Sequence, residues 1–179
     1  MRMHKTQRQA AKRHFVEVAR CCVVESSPKG FNTRFGGGGC PVLLMLEDSP
    51  QRLERFAAVL RALDSELPLR VWRDAHAMIR EAGPLLSSAA LVSLDHDLEA
   101  ESGDLDPGDG YLVAKWLVSQ PVVRPVIVHT SNDERASWMA DTFDLAGWRH
   151  YRVAPLGDDW VERDWRRLVR RLLSKARRG

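Results

Sequence analysis

The chain has 179 residues, with 27 Lys and Arg against 24 Asp and Glu, for a net charge of +3. That length fits one domain, which buries roughly 70% of its extended-chain surface and needs no disulfide or metal to fold. Apolar runs such as Val42–Leu46 are far too short to span a bilayer, and no apolar stretch follows the charged N-terminus as a secretory signal requires.

The charge is unevenly placed. Residues 1–40 hold eight basic and two acidic side chains, and 163–179 hold eight and one; 41–162 hold 11 basic and 21 acidic. An acidic body between two basic ends leaves a contact between those ends and nucleic acid open, beside the plainer reading of a solvated surface. Cys21, Cys22 and Cys40 all precede the first clear strand and lack metal-ligand spacing. With no cysteine in the core, a reducing, cytoplasmic location is expected.

Residues 1–40 read as a basic, disordered leader, with a weak helix over His14–Val24 and a flexible Gly36–Gly39 stretch. The ordered domain is expected over 41–176. Val42–Leu46 is a short all-apolar run, as a buried parallel strand requires. Ser49 and Pro50 then supply an N-cap and a first-turn proline, and Leu53, Phe56, Ala57, Leu60 and Leu63 follow at helical spacing. Leu69–Trp72 is the second strand, and Asp74 caps a short helix that Gly83-Pro84 ends.

Ala89–Leu94 is the third strand and runs into Asp95-His96-Asp97. The loop from Glu101 to Asp109 has three aspartates but no EF-hand pattern, so it reads as a solvated loop bordering the site. A helix follows through Tyr111, Leu112, Ala114, Trp116 and Leu117. Pro125–Val128 is the fourth strand, Asp133–Leu145 a helix closed by Gly147, and Trp148–Val153 the fifth strand. The last helix is expected to start at Asp158 or Asp159 and to carry Val161, Trp165, Leu168, Val169, Leu172 and Leu173 on one face. The six tryptophans read mainly as core, with one available to line the site. Alternating strands and helices predict a flavodoxin-like, doubly wound, five-stranded parallel sheet of order 2-1-3-4-5.

In that order the ends of strands one, three and four are neighbours, and ligands bind there. The sequence places Glu47-Asp48, Asp95-His96-Asp97 and His129-Thr130-Ser131-Asn132 at those three ends. Carboxylates so gathered repel one another unless a hard divalent cation, such as Mg²⁺ or Mn²⁺, sits between them. Thr130, Ser131 and Asn132, with the N–H groups of the helix that follows, suit a phosphate oxygen. His96 lies between two acids, which makes it the candidate proton donor; His129 is the candidate base. His129 and Thr130 are consecutive in a strand, so their side chains face opposite ways, and a buried structural role for His129 stays open. His76 and His150 have no such company and read as structural or exposed.

Leu44-Met45-Leu46-Glu47-Asp48 resembles the acidic first-strand motif of response-regulator receivers, and Val92-Ser93-Leu94-Asp95 their phosphoacceptor strand. Asp109-Gly110-Tyr111 resembles the opening of the next receiver helix, and Pro125–Thr130 the fourth strand with its switch threonine. The resemblance covers about residues 41–175. It implies metal at Glu47, Asp48, Asp95 and Asp97 and phosphoryl transfer onto Asp95. A receiver ends its fifth strand in Lys-Pro, whereas this chain has Ala154-Pro155. Leu94-Asp95-His96-Asp97-Leu98 and Val128–Asn132 are instead similar to a divergent branch, the cyclic-phosphate-processing receiver-like domains. That resemblance implies a metal-assisted phosphoesterase acting on a cyclic phosphate, in a small molecule or at an RNA end. The alternatives are a receiver phosphorylated on Asp95 and a degenerate receiver that only binds a partner.

Overall fold

The structure, a computed structural model, describes residues 40–100 and 106–176. The expected leader (Cys40 apart), the helix over His14–Val24 and residues 101–105 of the acidic loop lie outside the described residues.

Five strands, β1 (Val42–Leu46), β2 (Leu69–Trp72), β3 (Ala89–Leu94), β4 (Val126–Val128) and β5 (His150–Arg152), form one sheet. Its order is β2-β1-β3-β4-β5, and every neighbouring pair is parallel, as the sequence predicts. Every residue of β1, β3 and β4 is buried, because helices cover both faces. The helices are α1 (Pro50–Leu63), α2 (Ala75–Glu81), α3 (Gly110–Val118), α4 (Asp133–Leu145) and α5 (Arg166–Ala176). Their starts follow the cap chemistry. The side chains of Ser49, Asp74, Asp109 and Asn132 each accept a backbone N–H from the first turn that follows.

Strand alternation divides the core in two. Leu44, Leu46, Val92, Leu94, Val126 and Val128 face one way, against side chains of α2, α3 and α4 such as Met78, Leu117 and Phe143. Leu43, Met45, Leu91 and Ile127 face the other, against Phe56 and Leu60 of α1 and Leu168, Val169 and Leu172 of α5. Each fully buried large apolar side chain contributes about 1.5–3 kcal/mol relative to exposure.

Three expectations need correction. The fifth strand is shorter than Trp148–Val153, because Trp148 leaves the ladder to pack on Phe143 at 6.0 Å between rings. The last helix is not capped by an aspartate side chain: it enters α5 through a π-type turn, Val161–Trp165, with no side-chain cap. Trp138 is not core; it is 39% exposed, and the Arg135 guanidinium lies 4.0 Å from its ring centroid. No helix among the described residues is long and apolar enough to cross a membrane.

Candidate functional site

Where β1 ends, Glu47 continues the alternation of Leu43 and Met45, and Asp48 that of Leu44 and Leu46. Glu47 is fully buried and Asp48 nearly so. Asp95, also buried, follows β3 on the adjacent strand; its N–H donates to the Leu46 carbonyl at 3.0 Å. Its backbone holds α3 close: a Cβ on Gly110 would stand 2.1 Å from the Asp95 carbonyl oxygen. Only glycine permits that approach, and the Gly110 N–H donates to the His96 carbonyl at 3.0 Å.

The three carboxylates converge on one cationic group that the sequence reading did not include. Arg52 Nη2 lies 2.8 Å from Glu47 Oε1, 3.3 Å from Asp48 Oδ1 and 2.7 Å from Asp95 Oδ2. Arg52 stands in the first turn of α1, where the helix dipole disfavours a cation, so the carboxylates hold it there. A basic residue in a first turn that has no acid, five positions after Glu47, was the available signal. The remaining carboxylate oxygens are engaged unequally. Asp48 Oδ2 accepts the Glu99 N–H at 2.7 Å, and Asp95 Oδ1 the His96 N–H at 2.7 Å. Glu47 Oε2 is buried without a hydrogen bond.

The two carboxyl groups at the centre respond differently to burial. Desolvation pushes Asp95 above the usual carboxylate range, and the nearby Glu47 charge adds to it; His129, Arg52 and the His96 N–H only partly offset this. Desolvation acts on Glu47 too, but His129, Arg52 and the Ser49 N–H together outweigh it and hold Glu47 below its ordinary value.

The two histidines occupy different surroundings. His96 is buried, with Nδ1 2.9 Å from Asp97 Oδ1 and Nε2 3.6 Å from Asp109 Oδ2. Asp97 is turned outward, 57% exposed, and its other oxygen accepts from Thr130 Oγ1 at 3.4 Å. Asp97 thus connects His96 to Thr130 rather than joining the carboxylates around Arg52. Thr130 Oγ1 also accepts the Asn132 N–H at 3.1 Å; Ser131 is exposed and Asn132 caps α4.

His129 faces away from Thr130, into the layer of α1 and α5, as strand alternation requires. It is fully buried, with the Phe56 ring edge-on at 5.2 Å and Trp160 stacked at 6.0 Å. Its Nδ1 is 3.0 Å from Ser93 Oγ, which accepts from Trp165 Nε1 at 3.1 Å. Its Nε2 lies 3.4 Å from Glu47 Oε2 without forming a hydrogen bond. Glu47, Asp95 and His129 each offer a ligand atom within 4.8 Å of the others, and with two orphaned buried atoms among them this donor set fits a divalent cation. His76 is exposed, and His150, half-buried, stacks on Phe143 at 5.9 Å, so both stand apart from these groups.

The architecture is shared with solved receiver domains. A response regulator receiver domain from Rhodospirillum rubrum superposes with a TM-score of 0.56 at 17% identity, covering 75% of this chain and 93% of that one. The BeF3-activated DrrB receiver domain gives 0.53 at 16% identity, covering 76% and 99%. A LuxR-family DNA-binding response regulator from Staphylococcus aureus gives 0.54 at 11% identity, covering 76% and 98%. At such identities the likeness establishes the fold. No curated protein matches in sequence. Residues 43–144, more than half of the chain and including Glu47, Asp95, His96 and His129, match the family described as the cyclic-phosphate processing receiver domain. By that match this chain belongs to the cyclic-phosphate processing receiver family.

Proposed function

We propose that this receiver-like domain binds a divalent cation, Mg²⁺ or Mn²⁺, at the ends of β1 and β3 and opens a cyclic phosphodiester in a nucleotide or at an RNA end. The observation that carries the reading is the convergence of Glu47, Asp48 and Asp95 on a single cationic nitrogen, which marks a surplus of buried negative charge. Those three carboxylates would hold the cation. When bound, it would neutralise the charge that develops on the phosphoryl oxygens.

The chain's own groups divide the remaining work. Hydrolysis forms one bond from a water oxygen to phosphorus and breaks one P–O bond of the ring. The water gives up a proton and the departing sugar oxygen takes one. His96 is the group that gives the departing oxygen its proton, since Asp97 holds its Nδ1 and so leaves Nε2 as the exchanging atom, while the proton lost by the water passes to solvent. Thr130, Ser131 and the first N–H groups of α4 receive the phosphate oxygens.

Phosphorus NMR of a 2′,3′-cyclic nucleotide with the protein and Mn²⁺ or Mg²⁺ tests this. Turnover by the wild type, lost in both Asp95→Ala and His96→Ala, is the expected result; absence of turnover with either metal rejects it. A second reading, phosphorylation of Asp95, has the position of that carboxylate at the end of β3 in its favour. The place where a receiver has lysine, after β5, holds Ala154. Acetyl phosphate would then add about 80 Da, the mass of one phosphoryl group, to the intact protein.

A further inference from the structure

The sequence alone leaves His129 either a candidate base or a buried structural histidine. Its surroundings fit another role: the fully buried imidazole packs against Phe56 and Trp160 on the α1 and α5 side of the sheet, facing away from Thr130. We infer that His129 Nε2 is a metal ligand, completing with Glu47 and Asp95 a mixed nitrogen–oxygen centre that favours Mn²⁺ or a later transition ion over Mg²⁺. The inference rests on the metal reading above and deepens it.

Three observations support it. First, Glu47 Oε2 and His129 Nε2 are both buried, both without a hydrogen bond, and 3.4 Å apart. Two bonds of about 2.1 Å to a common ion would subtend roughly 108° across that gap, an ordinary coordination angle. Second, Arg52 does not occupy that gap. It takes Glu47 Oε1 and leaves Oε2 open, so guanidinium and metal use different oxygens of one carboxylate. Third, the imidazole is held from behind. A metal-bound histidine typically donates its other N–H to a fixed acceptor. Trp165 Nε1 can only donate, and it gives its hydrogen to Ser93 Oγ, which still has a lone pair directed at His129 Nδ1. The same serine can instead donate to Nδ1, which puts the remaining hydrogen on Nε2 when no cation is bound. Ser93 thus accepts either tautomer, and Phe56 and Trp160 keep the ring from turning. Ser93 and Trp165 are positioning residues on this account.

An imidazole ligand determines the chemical class of the ion. Mg²⁺ prefers oxygen donors and retains its water, whereas Mn²⁺ and later ions accept nitrogen.

The test is electron spin echo envelope modulation of Mn²⁺ bound to the full-length protein, prepared once with natural and once with ¹⁵N-labelled histidine. Modulation from a directly bound imidazole nitrogen, changed by the isotope and lost in His129→Gln, is the expected result. The isotope comparison shows that a histidine is bound, and His96→Ala, which should keep the modulation, excludes His96 even if His129→Gln fails to fold. Ser93→Ala should weaken Mn²⁺ affinity by about 10- to 100-fold while leaving the nitrogen signal at saturation. Mn²⁺ bound without nitrogen modulation would overturn the role of His129 and leave the carboxylate metal reading intact. No Mn²⁺ binding at millimolar concentration would overturn both.

Discussion

Arg52 decides how the site behaves without metal. Its guanidinium offsets three carboxylates, so Arg52→Gln leaves buried charges uncompensated. Breaking a fully buried pair costs about 3–5 kcal/mol; with Arg52 31% exposed, a loss of about 1–3 kcal/mol is expected. Mn²⁺ at a hundred times its dissociation constant should return about 2.7 kcal/mol by binding the native state alone. Thermal melts of the variant with and without Mn²⁺ measure both, and a variant indifferent to the cation would count against a metal site. Asp95 and Glu47 give stability a pH dependence of opposite signs. The native pKa of Asp95 is raised, so its ionisation costs the fold stability, and that cost is relieved as pH falls through the raised value towards the unfolded value of about 3.9. The native pKa of Glu47 is depressed, so its contribution is complete above about 4.3 and is lost as pH falls through the depressed value. The Tm advantage of Asp95→Asn over wild type should therefore be largest at neutral pH and shrink on acidification. A difference that is constant or grows towards low pH would refute this. At this scale the sequence was only partly legible. Strand alternation separates His129 from Thr130. The same count puts Glu47 and Asp95 on the side of His129, a consequence that reading the three clusters as one site passes over. Ser93 and Trp165 were not legible, because contacts spanning 36 and 72 residues leave no local pattern.

Among the elements, α3 is placed most tightly against the site. Gly110 opens it beside the Asp95 and His96 backbone, with no room for a methyl group. Gly110→Ala must push the helix start away, and overpacking of this kind costs about 1–3 kcal/mol. Denaturant unfolding measures the loss, and metal affinity should fall with it, since Asp95 would move. Unchanged stability would mean that α3 adjusts freely. The strands were the most legible elements, because runs such as Val42–Leu46 have no polar residue and cannot be surface helix. Capped helix starts were equally plain at Ser49 and Asp74. The start of α5 was not legible: two aspartates precede an apolar stripe, as caps often do, yet the chain turns there without a side-chain cap.

For the molecule as a whole, the fold followed from five short strands with four capped helices between them, a pattern with few other solutions. The separation of charge also has consequences at this scale. Arg166, Arg167, Arg170 and Arg171 of α5 are exposed, while the carboxylates at the strand ends are buried. A substrate that is an RNA end would gain affinity from that outer surface and chemistry from the inner one. Labelled single-stranded RNA should bind with a log affinity that falls by about 0.7 per phosphate contact for each log unit of salt. Replacing the four arginines by glutamine should flatten the slope by about 2 to 3 on that scale. Anisotropy titrations at several salt concentrations decide it, and a slope unaltered by the replacement would show that α5 takes no part.

The π-type turn before α5 ties the protein's length to its chemistry. Residues five apart on a regular α-helix point about 140° away from each other. Trp160 and Trp165, separated by the wider turn, both reach Phe56, at 5.5 and 4.7 Å, and enclose His129 between them and the sheet. Deleting a single codon within 161–164 would collapse that turn into a regular one. Trp165 would swing off Ser93, and the apolar stripe of α5 would lose its phase against the sheet. Point substitutions there should be tolerated far better than a one-residue gap, so descendants of this gene should vary in letters across the turn but not in length.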